Sequence, residues 1–194
     1  MNIVREITKH EMVRRFAIGE VYSHFFSQDE PYRQETLNFL TSGNDELERC
    51  GIQRHWGWSR GAFVSSLPND TEWSLARLRL SEDEFARLRI VNSGGWIRYT
   101  DGSLRLVDAA IFLQANPGCD RRVAEIISAL NRGQCEMCGI TLFSHSLEGP
   151  FTIVEGTARL VALYLNCIQK KSTILCTEEI EVVLGLSYSN WRFS

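Results

Sequence analysis

The stretch that leaves this chain the fewest options is "PFTIVEGTARLVALYLNCI", residues 150–168, in which only Glu155 and Arg159 carry charge. Its first half is short, apolar and β-prone. Its second half is apolar at nearly every position, and Gly156 stands between the two. A strand buried on both faces reads as a continuous apolar run, and a helix that is apolar all round must be enclosed by other elements. The pattern predicts a strand ending at Val154, a sharp turn, and a buried helix over 157–168.

The neighbouring sequence supplies the layers that such an element needs. Upstream, "NPGCDRRVAEIISALNRG" has a Pro-Gly break, Asp120 as N-cap, Val123, Ile126, Ile127 and Leu130 on one face, and Gly133 as a stop. It is followed by the strand "GITLF" and the polar turn "SHSLEGP". Downstream, "TIL" and "EIEVVLGL" read as strands. The fold class expected is α+β or α/β: a small mixed sheet with a buried helix after a Gly-x-x-Arg turn, preceded by N-terminal helices.

Earlier in the chain, apolar residues fall at helical spacing over 2–26 and 31–40 (Ile3, Ile7, Met12, Phe16, Val21, then Tyr32, Leu37 and Leu40), which predicts a helical pair. "TSGNDE" is punctuation, and "RHWGWSRGAF" is Gly-interrupted and too short for a long element. Trp56 and Trp58 within it are expected to be buried, with a stacking platform as the other reading. "EWSLARLRL" alternates as a strand. Ser81 and Glu84 form a capping box for a short helix, and the Asp101-Gly102 pair predicts a hairpin. The division expected is a helical, Trp-rich region over 1–70 and an α/β domain over 71–194.

Composition narrows the function classes. At 194 residues with 44 percent hydrophobic residues, the chain can bury one sizeable core. The longest apolar run, Leu160 to Leu165, falls far short of the roughly 18 to 20 residues of a membrane span, and the first residues lack a signal-peptide core, so a cytoplasmic protein without membrane contact is expected. A net charge of −3 argues against an electrostatically driven nucleic-acid coat. Eighteen of the 21 cations are nevertheless Arg, whose planar fork suits phosphate and carboxylate; genome base composition is the alternative explanation. Among six cysteines the single CxxC, Cys135 and Cys138, reads as reduced apolar residues; a structural zinc would need Cys119 or His145 to fold back onto it.

The turn at Glu155 to Arg159 is where chemistry is expected. A strand-to-helix junction at Gly156 brings backbone close to any ligand, and the helix start presents unpaired N–H groups and a partial positive charge. Thr157 would cap the helix or donate its hydroxyl, and Arg159 would add a charged fork. Glu155 is placed to hold a divalent ion, accept a proton or bond a ribose hydroxyl. The same residues have a purely structural explanation. Glu155 and Arg159 stand four apart in the order that stabilises a helix end by about 0.3–0.5 kcal/mol.

A helix ending in glycine, a strand, a short turn, an apolar strand, then acidic-Gly-x-x-Arg opening an apolar helix resembles the ParB/sulfiredoxin-like superfamily. The parts that carry the resemblance are "AEIISALNRG", "GITLF", "FTIVEGTARLVALYL" and "EIEVVLGL", within roughly residues 105–187. In that superfamily the turn binds nucleotide phosphates, CTP in ParB clamps and ATP in sulfiredoxin and the free serine kinases. The resemblance implies a phosphate site at Gly156, Thr157, Ala158 and Arg159, with Arg121 or Arg122 as further ligands, Mg²⁺ accompanying ATP or CTP, and Asp108 or Asp120 as the acidic general base, beside Glu155 at the turn itself. Thr157 stands where sulfiredoxin has its catalytic cysteine, and Ala158 where a His often precedes the Arg. Thr157 in place of that cysteine sets sulfinic-acid reduction aside, and the absence of the arginine-rich ParB motif sets chromosome partition aside.

The function expected is a nucleotide-binding enzyme, transferring phosphoryl to a small hydroxyl substrate or hydrolysing NTP, with no protein metal site. The alternatives are a non-catalytic binding module or a nucleic-acid-acting protein on the same fold. For the latter, Arg77, Arg79, Arg87 and Arg89 are the candidate patch, and Glu148, Glu155 and Asp108 the only carboxylates for a nuclease.

Overall fold

The computed structural model describes residues 1–22, 30–55, 58–92, 94–169 and 178–193. Among them the chain forms eight α-helices and a six-stranded mixed sheet.

The sheet is built around the strand that alternation predicts. β2 (Glu72–Arg79) pairs antiparallel with β6 (Glu179–Leu186) over its whole length, from Glu72 opposite Leu186 to Arg79 opposite Glu179. On the outer side of β2 runs the edge strand β1 (Asn2–Glu6). Beyond β6 come β4 (Thr141–Ser144), parallel to it, β5 (Phe151–Glu155), antiparallel to β4, and the three-residue β3 (Leu88–Ile90), parallel to β5. The spatial order is β1-β2-β6-β4-β5-β3.

Side chains of successive strand residues point to opposite faces, so the inner strands feed two cores in turn. Ala76, Leu142, Ile153, Val182 and Leu184 pack on one face, under α5 (Glu82–Ala86), α6 (Leu106–Ala115), α7 (Arg121–Asn131) and α8 (Thr157–Leu163). Leu75, Phe143, Val154 and Val183 pack on the other, against Met12 and Phe16 of α1 (Lys9–Val21), Val64 of α4 (Trp58–Ser65) and Trp191. A third, smaller cluster joins α1 to α2 (Glu30–Leu40) and α3 (Asp45–His55) through Ala17, Val21, Leu37, Leu40 and Ile52. The sheet thus carries helices on both faces, which is why β4 is buried at every position and β5 at all but its last, Glu155.

The helix expected over 157–168 is present and enclosed: Leu160 to Asn166 are all buried, and after Leu163 the helix widens into a π-helical stretch over Tyr164–Gln169. Asp120 caps α7 as expected, accepting from the Arg122 N–H at 3.0 Å. Gly133, at φ +66°, ends it with N–H groups of residues 133 and 134 returning to Leu130 and Ala129. Ser81 caps α5. The strand expected at "TIL" lies outside the described residues, as does Trp56; Trp58 starts α4.

Three expectations are corrected. Residues 2–6 form a strand, not helix: β-branched Ile3 and Val4 lie on the exposed sheet edge, and the helix begins only after Thr8, whose hydroxyl accepts from the Glu11 N–H at 3.1 Å. The segment taken as punctuation and a short Trp-rich piece contains the 11-residue α3, started by Asn44, whose side chain accepts from the N–H groups of Glu46 and Leu47. Asp101-Gly102 does not join a hairpin. Both residues take positive φ, 48° and 80°, as a tight turn demands, but the sequence after them is α6. Leu106, Ala109, Ala110 and Leu113 are buried, an i, i+3, i+4, i+7 set that burial reads as helix.

Candidate functional site

Gly156 is required twice over at the end of β5. Its φ of +98° is left-handed, and a Cβ there would stand 2.8 Å from Ile140 Cγ1. It is the N-cap residue of α8, it has no side chain with which to cap, and the first intrahelical bond is Leu160 N–H to the Gly156 carbonyl at 2.9 Å. The N–H groups of Thr157, Ala158 and Arg159 therefore have no intrahelical acceptor. Thr157 is the first helical residue, so it does not cap the helix; its half-buried side chain lines the cleft in front of the turn.

Arg159 folds inward. It is 7 percent exposed, donates from Nη2 to Glu155 Oε1 at 3.1 Å and from Nη1 to the Cys138 carbonyl. The guanidinium thus ties the start of α8 to β5 and to the turn before β4. Gly19 makes room for it, and Gly139 lets the turn approach α1. A Cβ on Gly19 of α1 would stand 3.0 Å from both Arg159 Nη2 and the Gly139 Cα, so α1 and the 138–139 turn meet backbone to backbone.

The turn forms one wall of a cleft of about 1210 Å³. The facing wall comes from the loop 94–98 and the start of α7. Gly94 and Gly95 leave open space where side chains would be, and Trp96 follows them. Arg122 lies over the Trp96 ring at 5.1 Å while its fork clasps the buried Asp120. Arg121 pairs at 2.6 Å with Glu125, its side chain 81 percent exposed. Arg98 lies over the Tyr99 ring and donates to its hydroxyl at 2.6 Å; among the described residues it meets no carboxylate. Burial raises the pKa of Asp120, but the hydrogen bonds and charge of Arg122 outweigh it and hold the carboxyl below the usual range.

Of the expected site residues, Glu155, Gly156, Thr157, Ala158, Arg159 and Arg121 all line this cleft. Asp108 does not. It sits in the first turn of α6, accepts from Ser103 Oγ at 2.6 Å and braces the loop into that helix. Glu148 lines a separate hollow of about 320 Å³, so the three carboxylates considered for a nuclease are not assembled. The candidate arginine patch is likewise divided. Arg77 and Arg79 stand opposite Glu181 and Glu179 on β6, while Arg87 and Arg89 donate to backbone carbonyls.

Cys135 reaches the cleft, and burial pushes both it and Cys138 up in pKa. Among the described residues no third ligand joins them: Cys119 is exposed, and His145 Nδ1 is bonded to the Ser187 carbonyl at 2.8 Å. The wall at Gly94, Gly95, Trp96 and Arg98 was missed by sequence reasoning. Its signal is the adjacent glycine pair ahead of Trp-x-Arg, which stands just before the segment expected to form a hairpin.

No helix is long and apolar enough to cross a membrane among the described residues. Comparison of the chain with protein-family models, with curated protein sequences and with solved structures finds no match in any of the three.

Proposed function

We propose that the cleft binds a nucleotide and that the protein is a nucleotide-dependent enzyme of the ParB/sulfiredoxin-like type, acting by phosphoryl transfer to a small hydroxyl substrate or by NTP hydrolysis. One observation carries the reading. A single cleft gathers the uncapped Glu155–Arg159 turn, a bare glycine pair, an aromatic ring and guanidinium groups from two other elements. Backbone N–H groups at Thr157 and Ala158 would receive a phosphate, whose charge is favoured at a helix start. Arg98 meets no carboxylate among the described residues, and exposed pairs such as Arg121–Glu125 are worth only about 0–1 kcal/mol, so both can turn to a dianion. Arg159 follows the structural one of its two explanations: it pairs with Glu155 and holds the turn in shape.

Mg²⁺ binds through one or two carboxylates together with phosphate oxygens and water. Glu155 would supply one, through the oxygen that Arg159 leaves, and the ion would neutralise charge on the phosphates. Without a bound ion, the same carboxylate would be the group to accept a proton at this turn.

A second reading, a binding protein without turnover on the same cleft, is favoured by the position of Asp108, which braces α6 instead of facing the cleft. Thermal-shift measurements with ATP, CTP and GTP, each with and without Mg²⁺, test the binding that both readings share. A rise in midpoint with at least one nucleotide is expected; no rise with any, at concentrations far above a typical enzyme KM, refutes both. Phosphate release in the presence of small hydroxyl acceptors then separates enzyme from binder.

A further inference from the structure

We propose that His10, Asp45 and Glu48 form a divalent-metal site, zinc by its donor set, which clips α1 to α3. None of the three lines the nucleotide cleft. His10 lies in the first turn of α1. Asp45 and Glu48 stand three apart in the first turn of α3, where i and i+3 side chains share a face. One ligand atom from each lies within 4.8 Å of the other two, and His10 Nε2 is already 3.0 Å from Glu48 Oε2. Ligands about 2.0–2.2 Å from a tetrahedral zinc are roughly 3.4 Å from one another, so closing the site asks for side-chain adjustments on the order of 1 Å.

Charge and chemistry point the same way. Glu48 is 5 percent exposed, yet its carboxylate shares this corner with a second one, Asp45, which among the described residues has no hydrogen bond or ion pair. The cation on hand is Arg14, 3.4 Å from Glu48 Oε1, which also donates to the Leu40 carbonyl at 3.3 Å. It holds Oε1 and leaves Oε2 to His10, the arrangement by which a neighbouring group orients a ligating carboxylate. Two carboxylates against one guanidinium leave a negative charge that a divalent ion would offset. One imidazole with two carboxylates suits zinc, whereas Mg²⁺ and Ca²⁺ take oxygen ligands. The site joins the start of α1 to the start of α3, two helices that also share with α2 the cluster of Ala17, Leu40 and Ile52.

The test is calorimetric titration of zinc chloride into the metal-stripped full chain, carried out also on a C135S/C138S variant so that the thiols cannot supply the signal. One zinc per chain is expected, with a higher thermal midpoint and affinity unchanged in C135S/C138S. D45N and H10A should each weaken binding about tenfold or more. Asp45 is exposed, so D45N leaves the folded chain in place without touching the buried Glu48. Cobalt in place of zinc should show ligand-field bands without a thiolate charge-transfer band. Absence of binding, loss of binding in C135S/C138S, or affinity unaltered by D45N and H10A overturns the proposal.

Discussion

Replacing Arg159 by alanine separates a residue that holds the turn from one that holds a ligand. In the structure its guanidinium makes two charge-assisted contacts, to the Glu155 carboxylate and the Cys138 carbonyl, with side-chain exposures of 9 and 14 percent for Arg159 and Glu155. Removing one partner of a buried ion pair costs about 3–5 kcal/mol, because the other charge is left without compensation. Here Glu155 borders the cleft and can recover some water, which places Arg159→Ala near the lower end, about 3 kcal/mol. Glu155→Ala leaves Arg159 its bond to the Cys138 carbonyl and should cost less, about 2 kcal/mol. The double variant should fall short of the sum by about 1–2 kcal/mol, since the shared interaction is counted once. Urea unfolding of the four proteins, with a common slope, gives all three numbers. An Arg159→Ala cost below about 1 kcal/mol with no coupling would refute the clamp, and would mean that the guanidinium spends its time in the cleft.

Other consequences follow from the same geometry. Gly139 and Gly43 have nearly equal φ, +72° and +70°, but a Cβ on Gly139 would stand 2.4 Å from the Arg15 carbonyl oxygen while one on Gly43 meets nothing within 4 Å. Gly43→Ala should therefore cost only backbone strain, about 1 kcal/mol, and Gly139→Ala about 3 kcal/mol or more; equal costs in urea unfolding would show that α1 does not press on that turn. Asp120, whose pKa is lowered by Arg122, stabilises the fold above the unfolded carboxyl value of about 4 and loses that contribution as pH falls through the folded value. Asp120→Asn keeps the cap but not the pairing, so it should be less stable than the parent at pH 7 and the gap should narrow as pH falls below about 4; a gap independent of pH would contradict the assignment.

The layered core around residues 120–168 is legible because its signals are local: an apolar run with one glycine, an Asp cap, a Gly stop. The buried helix, the strands β4, β5 and β6, and the cap at Asp120 stand where spacing puts them. What was not legible depends on partners distant in sequence. Ile3 and Val4 fit a helical period as well as a strand, and only β2, some 70 residues on, decides between them. Asp101-Gly102 announced the positive φ angles correctly but says nothing of what the chain does next. In the site, spacing left two explanations for Glu155 and Arg159, and the structure realises the ion pair within a turn that still opens on a cleft. The opposite wall, with Arg98 and Trp96, comes from a loop whose place against that turn no local pattern encodes.

Amide chemical-shift mapping on the isotopically labelled chain, titrated with ATP or CTP and Mg²⁺, tests most directly whether this cleft is the ligand site. The largest shifts are expected at the N–H groups of Gly156, Thr157 and Ala158, with accompanying changes at Gly94, Gly95 and Arg121. Saturation with nucleotide that leaves those amides unmoved, or that moves a separate cluster of residues, would contradict it.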